Sequence, residues 1–532
     1  MSLSQAPEGL AAATGFALSG YTPPPKRKWH REIHLAAVVC LAAVYGALLA
    51  LFASSLLVEL LAPLALFALM LVWILPDTEN PPATLMVGCF WGFLVAQLLW
   101  PDYLALDLPG LPWITALRLF SFPLLLLFLI CLSVSPSMRG EMTRILKSAP
   151  WTWKLLVGFM IMAVLSVGYS DNPGNSADKV VVAVLYWMLI FFAAAYIFAR
   201  PGRMTAFVWL LWAAALILCL MGLWEQRLGR LPWAGHIPSF LAVGDESVQR
   251  ILGGSARSAT GVYRVQGKFS TSLNLAEFLS LVTPFILHFM VVSRHWIVRI
   301  AAAMMLPLIF IVIVATDSRL GIVGFSLSFL FYLFFWGYRR RATHRDSLIG
   351  TAVLFAYPAV LIAFMASTMF VPRISAMVWG NGAQQASNEA RQEQYRAGIP
   401  MVVERPWGYG MGRGSTRLGF FNPAGVGTID TYVLAVALEV GIPGLICYFG
   451  MVGTAIHAGA RAVQNARDRE TQLLIPLVIA LANFVVIKTI LSQLDNHPLV
   501  FAMLGATVAL VYRVKNATAD AGADTVLPKA NS

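Results

Sequence analysis

Four stretches of the sequence gather side chains capable of chemistry, and arginine dominates three of them. The first is Tyr263-Arg264-Val265-Gln266-Gly267-Lys268-Phe269-Ser270, a basic, glycine-containing segment. It runs straight into the apolar stretch Leu273-Asn274-Leu275-Ala276-Glu277-Phe278-Leu279. At the start of a spanning helix, exposed backbone N–H groups and the helix dipole favour an anion, which Arg264 can help to hold. The alternative is an Arg or Lys anchor at a membrane interface. The second stretch, Thr316-Asp317-Ser318-Arg319, is a tight turn between two apolar runs. An arginine so close to hydrocarbon requires a partner or a ligand. Either Asp317 neutralises it, or the planar fork of Arg319 grips a diphosphate in bidentate fashion.

The third stretch begins Arg391-Gln392-Glu393-Gln394-Tyr395-Arg396-Ala397-Gly398-Ile399-Pro400-Met401 and reads as an amphipathic helix. It continues into Glu404-Arg405-Pro406-Trp407-Gly408-Tyr409-Gly410-Met411-Gly412, where Pro406 and the alternating glycines force a turn with close backbone approach. Such glycines are superficially those of a nucleotide loop, but no strand precedes them and the dinucleotide reading is dismissed. The fourth stretch, Thr428-Ile429-Asp430-Thr431-Tyr432, opens a further apolar run that carries Leu438-Glu439-Val440-Gly441-Ile442-Pro443-Gly444-Leu445. Asp430 is either a helix N-cap or a reactive carboxylate, and Glu439 reads as a structural group within the helix.

The elements that position these stretches are membrane helices. Of 532 residues 58% are apolar and only 12% charged, which excludes an ordinary soluble globule. A net charge of +12 raises nucleic acid as a ligand, but no basic, aromatic-laced soluble domain carries it, so no nucleic-acid partner is expected. The five cysteines lie singly inside apolar runs, without the spacing of a zinc site or a disulfide framework. A spanning helix needs about 20 apolar residues, and about fourteen such segments fit the chain. They are Ile33 to Ala53, Leu56 to Leu75, Thr84 to Trp100, Trp113 to Val134, Trp151 to Tyr169, Lys179 to Ala199, Thr205 to Trp224, Leu273 to Val292, Trp296 to Ala315, Leu320 to Trp336, Ser347 to Phe370, Ile429 to Met451, Thr471 to Leu491 and Pro498 to Tyr512. The charge order Pro23-Pro24-Pro25-Lys26-Arg27-Lys28 before the first run differs from a cleavable signal peptide, so that run is expected to stay in the membrane.

Lysine and arginine mark the cytoplasmic side. With the N-terminus inside, the inner loops hold Arg139, Arg144 and Lys147, then Arg200 and Arg203, Arg294 and Arg299, Arg339-Arg340-Arg341, and Arg461, Arg467 and Arg469. The acidic inner turn Asp77 to Pro82 is the exception. The expected organisation is a cytoplasmic segment 1–32, a first bundle 33–224, a periplasmic loop 225–272, helices 273–370, a large periplasmic loop 371–428, helices 429–512 and a cytoplasmic tail 513–532. Both long loops exceed ordinary connections and carry many arginines on the side the charge rule leaves poor in them. A solvated surface is one reading of these arginines; for the set, an outward-facing anion site is preferred.

Taken in this order and on this side of the membrane, the four stretches resemble the O-antigen ligase and polysaccharide polymerase superfamily. The resemblance covers roughly Arg264 to Leu445. It is strongest in Arg391 to Gly412, in Thr316 to Arg319, and in Tyr432 to Gly444 with Glu439-Val440-Gly441. It implies an all-α polytopic membrane protein of GT-C-like glycosyltransferase architecture, in a bacterial inner membrane with both termini cytoplasmic. Its substrates would be undecaprenyl-pyrophosphate-linked glycans, as donor and as acceptor, and other polysaccharide export proteins would be its partners. Such enzymes work without a metal or other cofactor and grip the leaving pyrophosphate with outer-face arginines. That role carries over onto Arg264 and Arg319, with Arg391, Arg396 and Lys268 as further candidates. Ligases of this family have a histidine before the helix that here starts Ile429-Asp430-Thr431-Tyr432, and this sequence has none there. The reaction then needs another base near the attacking hydroxyl, for which Asp430 is the first candidate and Glu404 the second. The missing histidine favours a polymerase over a ligase; a lipid-glycan flippase is the alternative from another class.

Overall fold

Proline and glycine set where the long apolar runs become separate helices. Pro136, Pro150 and Pro173 stand at helix starts, where the lost N–H would have had no partner, and Gly229 ends another helix in the left-handed conformation. The structure is a computed structural model, and it describes residues 67–78, 80–107, 113–256, 261–343, 348–370, 375, 385–421 and 427–526. The expected span Ile33 to Ala53, and most of Leu56 to Leu75, lie outside these residues. From Val72 onward the chain forms one compact unit.

In chain order the helices of that unit are α1 (Ala83–Leu99), α2 (Ala116–Val134), α3 (Pro136–Ser148), α4 (Pro150–Gly168), α5 (Pro173–Ala183), α6 (Leu189–Phe198), α7 (Arg203–Leu228), α8 (Glu246–Leu252) and α9 (Ser272–Val292). They continue as α10 (Trp296–Ala315), α11 (Arg319–Thr343), α12 (Leu348–Phe370), α13 (Gln385–Glu404), α14 (Gly414–Leu418), α15 (Tyr432–Val463), α16 (Leu474–Lys488) and α17 (His497–Val526). A π-helical turn, Val184–Met188, joins α5 to α6. Among the described residues, eleven helices are long and apolar enough to cross a membrane, and α1 is a shorter apolar helix. Each of the other twelve expected spans falls on one of these helices. The chain is an all-α polytopic membrane protein.

Helices α9, α16 and α17 are enclosed by the others, whereas α10 and α12 turn most of their surface outward. Close approach explains several glycines in the enclosed layer. A methyl group on Gly505 would sit 2.4 Å from the Phe191 carbonyl oxygen, so α17 reaches α6 at backbone distance. Because successive spans alternate direction, one end of the bundle collects the starts of α9, α11, α15 and α17 and the ends of α4, α7, α10 and α16. Three of the four reactive stretches are at this end, and the third lies on α13 and the loop after it. At the opposite end the acidic exception Asp77 meets Arg139 at 3.2 Å. Two short antiparallel ribbons, Ala105–Leu106 with Ile114–Thr115 and Ser255–Ala256 with Tyr263–Arg264, brace the connections. Tyr103, Ala105, Val243 and Val248 form a small core there, which anchors the long connection after α7.

Candidate functional site

The segment carrying Arg264 is seated by a carboxylate. α7 continues through Glu225 to Leu228, so Glu225 is the last buried residue of a helix rather than the first of a loop. Its side chain, wholly buried, accepts hydrogen bonds from Tyr263 Oη (2.8 Å), the Gln266 backbone N–H (3.0 Å) and the Gly267 backbone N–H (2.7 Å). Three donors around one carboxylate fix the Tyr263–Gly267 segment. Val265 N–H also donates to the Ala315 carbonyl at 3.2 Å, which brings this segment against the Thr316–Arg319 turn.

That turn is tight because Asp317 adopts a left-handed conformation (φ 49°), tolerated best by Asp, Asn and Gly. Arg264 Nε donates to the Thr316 carbonyl at 3.1 Å. From Arg319 the contacts pass to α13: Arg319 Nη2 and Arg391 Nη1 both donate to Asn388 Oδ1, at 3.3 and 3.2 Å. Arg391 Nε lies 3.7 Å from Asp430 Oδ2, and the Asp430 N–H donates to Gln394 Oε1 at 2.9 Å. The residues of all four reactive stretches are thus joined in one series of contacts, Arg264 to Thr316, Arg319 to Asn388, Arg391 to Asp430. Burial pushes the Asp430 carboxyl above its ordinary value, and the Arg391 guanidinium pulls against that rise. Asp430 is not the helix cap; the N-cap position of α15 is Thr431, whose side chain makes no capping bond.

The remaining candidates lie elsewhere. Lys268 is buried, donates to the Gln97 carbonyl at 2.5 Å and sits 4.4 Å from the centre of the Phe269 ring. Burial pushes its ammonium group down to about 8. Arg396 is exposed, five positions and so about 140° around α13 from Arg391. Glu404 is exposed at the last position of α13, thirteen residues and about 20 Å along its axis from Arg391.

The glycine-rich loop has a partner that sequence spacing alone did not reveal. α15 breaks its helical path at Gly441 (φ 75°, ψ −178°), which leaves carbonyls and an N–H without helical partners. The loop supplies them. Tyr409 N–H donates to the Leu438 carbonyl (2.7 Å), Gly410 N–H to the Glu439 carbonyl (3.0 Å), and Ile442 N–H to the Pro406 carbonyl (2.8 Å). Within an apolar surrounding such backbone groups must be matched. A methyl group on Gly408 would lie 2.6 Å from the Glu439 carbonyl oxygen, and one on Gly441 2.2 Å from that of Pro406.

Beneath the cluster lies a buried polar network on α9, α16 and the 489–496 connection. Lys488 Nζ is 2.9 Å from Glu277 Oε1, both side chains being wholly enclosed, and also donates to the Gln493 carbonyl. Asn496 Nδ2 donates to Glu277 Oε2 (3.0 Å) and to the Asn274 carbonyl (2.9 Å). Ser492 Oγ donates to the carbonyl of Ile429, the residue before Asp430. On the other flank, Ser270 Oγ donates to Asp495 Oδ2 at 2.7 Å. The connection therefore ties the Arg264 segment to the start of α15. Among the described residues, no group of three or more His, Cys, Asp and Glu side chains is placed to hold a metal ion.

An apolar recess of about 440 Å³ opens beside the turn, lined by Val262, Tyr263, Phe310, Ile311, Val314 and Asp317. Long apolar helices thus carry a basic cluster at one end of the bundle, with an apolar recess next to it. Residues 302–449 match the O-antigen ligase family, a match that supports membership of the O-antigen ligase and polymerase superfamily and an enzyme of glycosyltransferase-like ligase or polymerase type. It takes in Arg319, Asn388, Arg391, Asp430 and the Gly441 break, and leaves out Glu225 and Arg264. No curated protein matches the chain.

Proposed function

We propose that this protein polymerises undecaprenyl-pyrophosphate-linked oligosaccharide repeat units into an exported polysaccharide, at the periplasmic face of a bacterial inner membrane. The observation that carries the reading is the contact series from Arg319 through Asn388 and Arg391 to Asp430, inside the region matched to the O-antigen ligase family. The hydroxyl oxygen of the incoming repeat unit attacks the anomeric carbon of the growing chain, and its proton passes to Asp430. The bond from the anomeric carbon to the diphosphate oxygen breaks, and the electron pair leaves with the polyprenyl diphosphate. Arg264, Arg319 and Arg391 stabilise that developing charge as fixed, preorganised cations. Binding of the diphosphate draws Arg391 toward it, loosens its hold on Asp430 and makes that carboxylate the stronger base. The polyprenyl chain lies along the apolar recess beside Asp317.

The family description supports a second reading, a ligase that passes the finished glycan to lipid A-core or to a protein. Against a flippase stands the position of the cluster at one end of the bundle rather than across its middle. The test uses purified protein in lipid nanodiscs with a polyprenyl-diphosphate oligosaccharide. Polymerisation gives a ladder of lengthening glycan that Arg319→Ala and Asp430→Asn abolish at unchanged protein abundance. Ladders of normal length in both variants would end the proposal. Transfer only to an added lipid A-core acceptor would identify the ligase.

A further inference from the structure

A second basic cluster sits at the same end of the bundle, apart from the first. Asp171 stands three residues beyond the end of α4, in the short turn to α5, so it lies at the level where two spans leave the membrane. Its Oδ1 is 2.7 Å from Arg413 Nε and its Oδ2 3.0 Å from Arg413 Nη2, a bidentate pair that already satisfies one carboxylate. Arg417 nevertheless converges on the same Oδ2 at 2.9 Å. Arg405 and Arg417 also share one ring: their guanidinium carbons lie 5.3 and 5.8 Å from the centre of Tyr409. Two guanidinium groups therefore share a single carboxylate, and Arg405 joins them through the Tyr409 ring it has in common with Arg417. The Lys179 side chain lies beside Gly412 and that of Glu439 beside Gly414. Next to the cluster, Trp407 is 61% exposed and its carbonyl accepts from Tyr169 Oη at 2.6 Å, an aromatic pair suited to the headgroup layer.

We propose that Arg405, Arg413 and Arg417 form a second diphosphate site, which holds the headgroup of the acceptor's lipid carrier while the first cluster holds the donor's. This rests on the transfer between two lipid-carried saccharides proposed above. Such a transfer needs both carriers in the membrane around one bundle at the same time. The spacing suits it: Arg391 and Arg405 are fourteen residues apart, about 21 Å along the axis of α13. The two headgroups are thereby kept apart, and the saccharides they carry can meet between them. Asp171 acts as a placeholder, holding the Arg413 and Arg417 guanidinium groups together until a stronger anion displaces it.

The placeholder role gives a test with opposite signs. Farnesyl diphosphate is titrated calorimetrically into the protein in phosphatidylcholine nanodiscs, and melting is followed on the same samples. The expected result is two molecules bound per chain. Arg417→Gln weakens one of the two about tenfold or more, and the triple variant Arg405→Gln/Arg413→Gln/Arg417→Gln removes it. Asp171→Asn tightens that same site while lowering the melting temperature, because it strips the ion pairs but frees the cations. If Asp171→Asn and Arg417→Gln both lower melting and neither changes binding, the cluster is a structural clasp and the inference fails. If phosphatidylglycerol in the nanodisc displaces the second diphosphate, the site belongs to bulk lipid headgroups and the acceptor assignment fails. One molecule bound and lost in Arg319→Ala, with the triple variant unaffected, sinks this inference alone. No diphosphate bound at all sinks the proposed function with it.

Discussion

Arg391 Nε lies 3.7 Å from Asp430 Oδ2, too far for a hydrogen bond and near enough for a direct charge contact. Asp430 thus has a cation beside it without a proton shared between them, which suits a carboxylate that must accept one. Burial raises the Asp430 carboxyl above 3.8 and Arg391 lowers it, so the two influences oppose. As a base, Asp430 works only when deprotonated; activity rises with pH through its raised value and is lost below it. Arg391→Gln removes the lowering influence, and the acid limb of the rate profile shifts to higher pH. Asp430→Asn lowers the rate about 100-fold or more. Rates measured across the acid range on both variants decide it, and an acid limb left in place by Arg391→Gln would rule out Asp430 as the titrating base.

Glu225 is expected to act on the donor through Arg264 without touching it. Replacing it with Ala leaves three donors around a buried hole, Tyr263 Oη and the N–H groups of Gln266 and Gly267, each costing about 1–3 kcal/mol. Glu225→Gln keeps an acceptor oxygen and loses less. KM for the lipid-linked donor should rise in the order wild type, Gln, Ala, with kcat falling less steeply. An unchanged KM in Glu225→Ala would detach this carboxylate from substrate binding.

Gly408 and Gly441 hold the glycine loop against the broken helix, and they differ in this from Gly419. All three have positive φ, but a methyl group meets backbone at 2.6 Å on Gly408 and at 2.2 Å on Gly441, and nothing within 4 Å on Gly419. Gly419→Ala carries only the left-handed conformational cost of about 1–2 kcal/mol. Gly408→Ala and Gly441→Ala add a clash with main chain that no rotamer relieves, so both should fall well below Gly419→Ala in thermal stability. Melting of the three variants in detergent checks the order, and equal melting temperatures would remove the loop as a brace of the helix break.

Much of the helical architecture is legible in the sequence because apolar runs long enough to span a membrane have few other uses. The reactive stretches are legible too, since Arg264, Arg319 and Arg391 are costly near hydrocarbon and stand out against it. Their joining is not. Asn388, which links Arg319 to Arg391, is one polar residue in a polar helix and carries no pattern. Glu225 reads as the start of a loop, because a carboxylate after an apolar run looks like its exit from the membrane, and its three donors lie far along the chain. The break in α15 has a local signal in Gly441 and Pro443, but the loop that fills it begins at Pro406, and periodicity says nothing about which distant backbone supplies the missing partners. Lys488 and Glu277 each occupy a single position in an apolar run, and only the packing of α9 on α16 brings them together.

That buried pair gives the last expectation. Lys488 and Glu277 are both wholly enclosed, and their mutual attraction must offset the loss of water from two charges. Removing one partner strands the other: Lys488→Met leaves the Glu277 carboxylate without a counter-ion, at a cost of about 3–5 kcal/mol. The double variant Lys488→Met/Glu277→Gln removes both charges, and the amide oxygen it introduces on α9 can still accept from Asn496, so most of the stability should return. Activity need not return with it. Lys488 also holds the Gln493 carbonyl, and the same connection holds Ile429 through Ser492, one residue from Asp430. A double variant that melts like wild type yet turns over more slowly, with an altered pH profile, identifies the pair as a positioning device for Asp430. One that regains both stability and an unchanged profile reduces it to a structural ion pair.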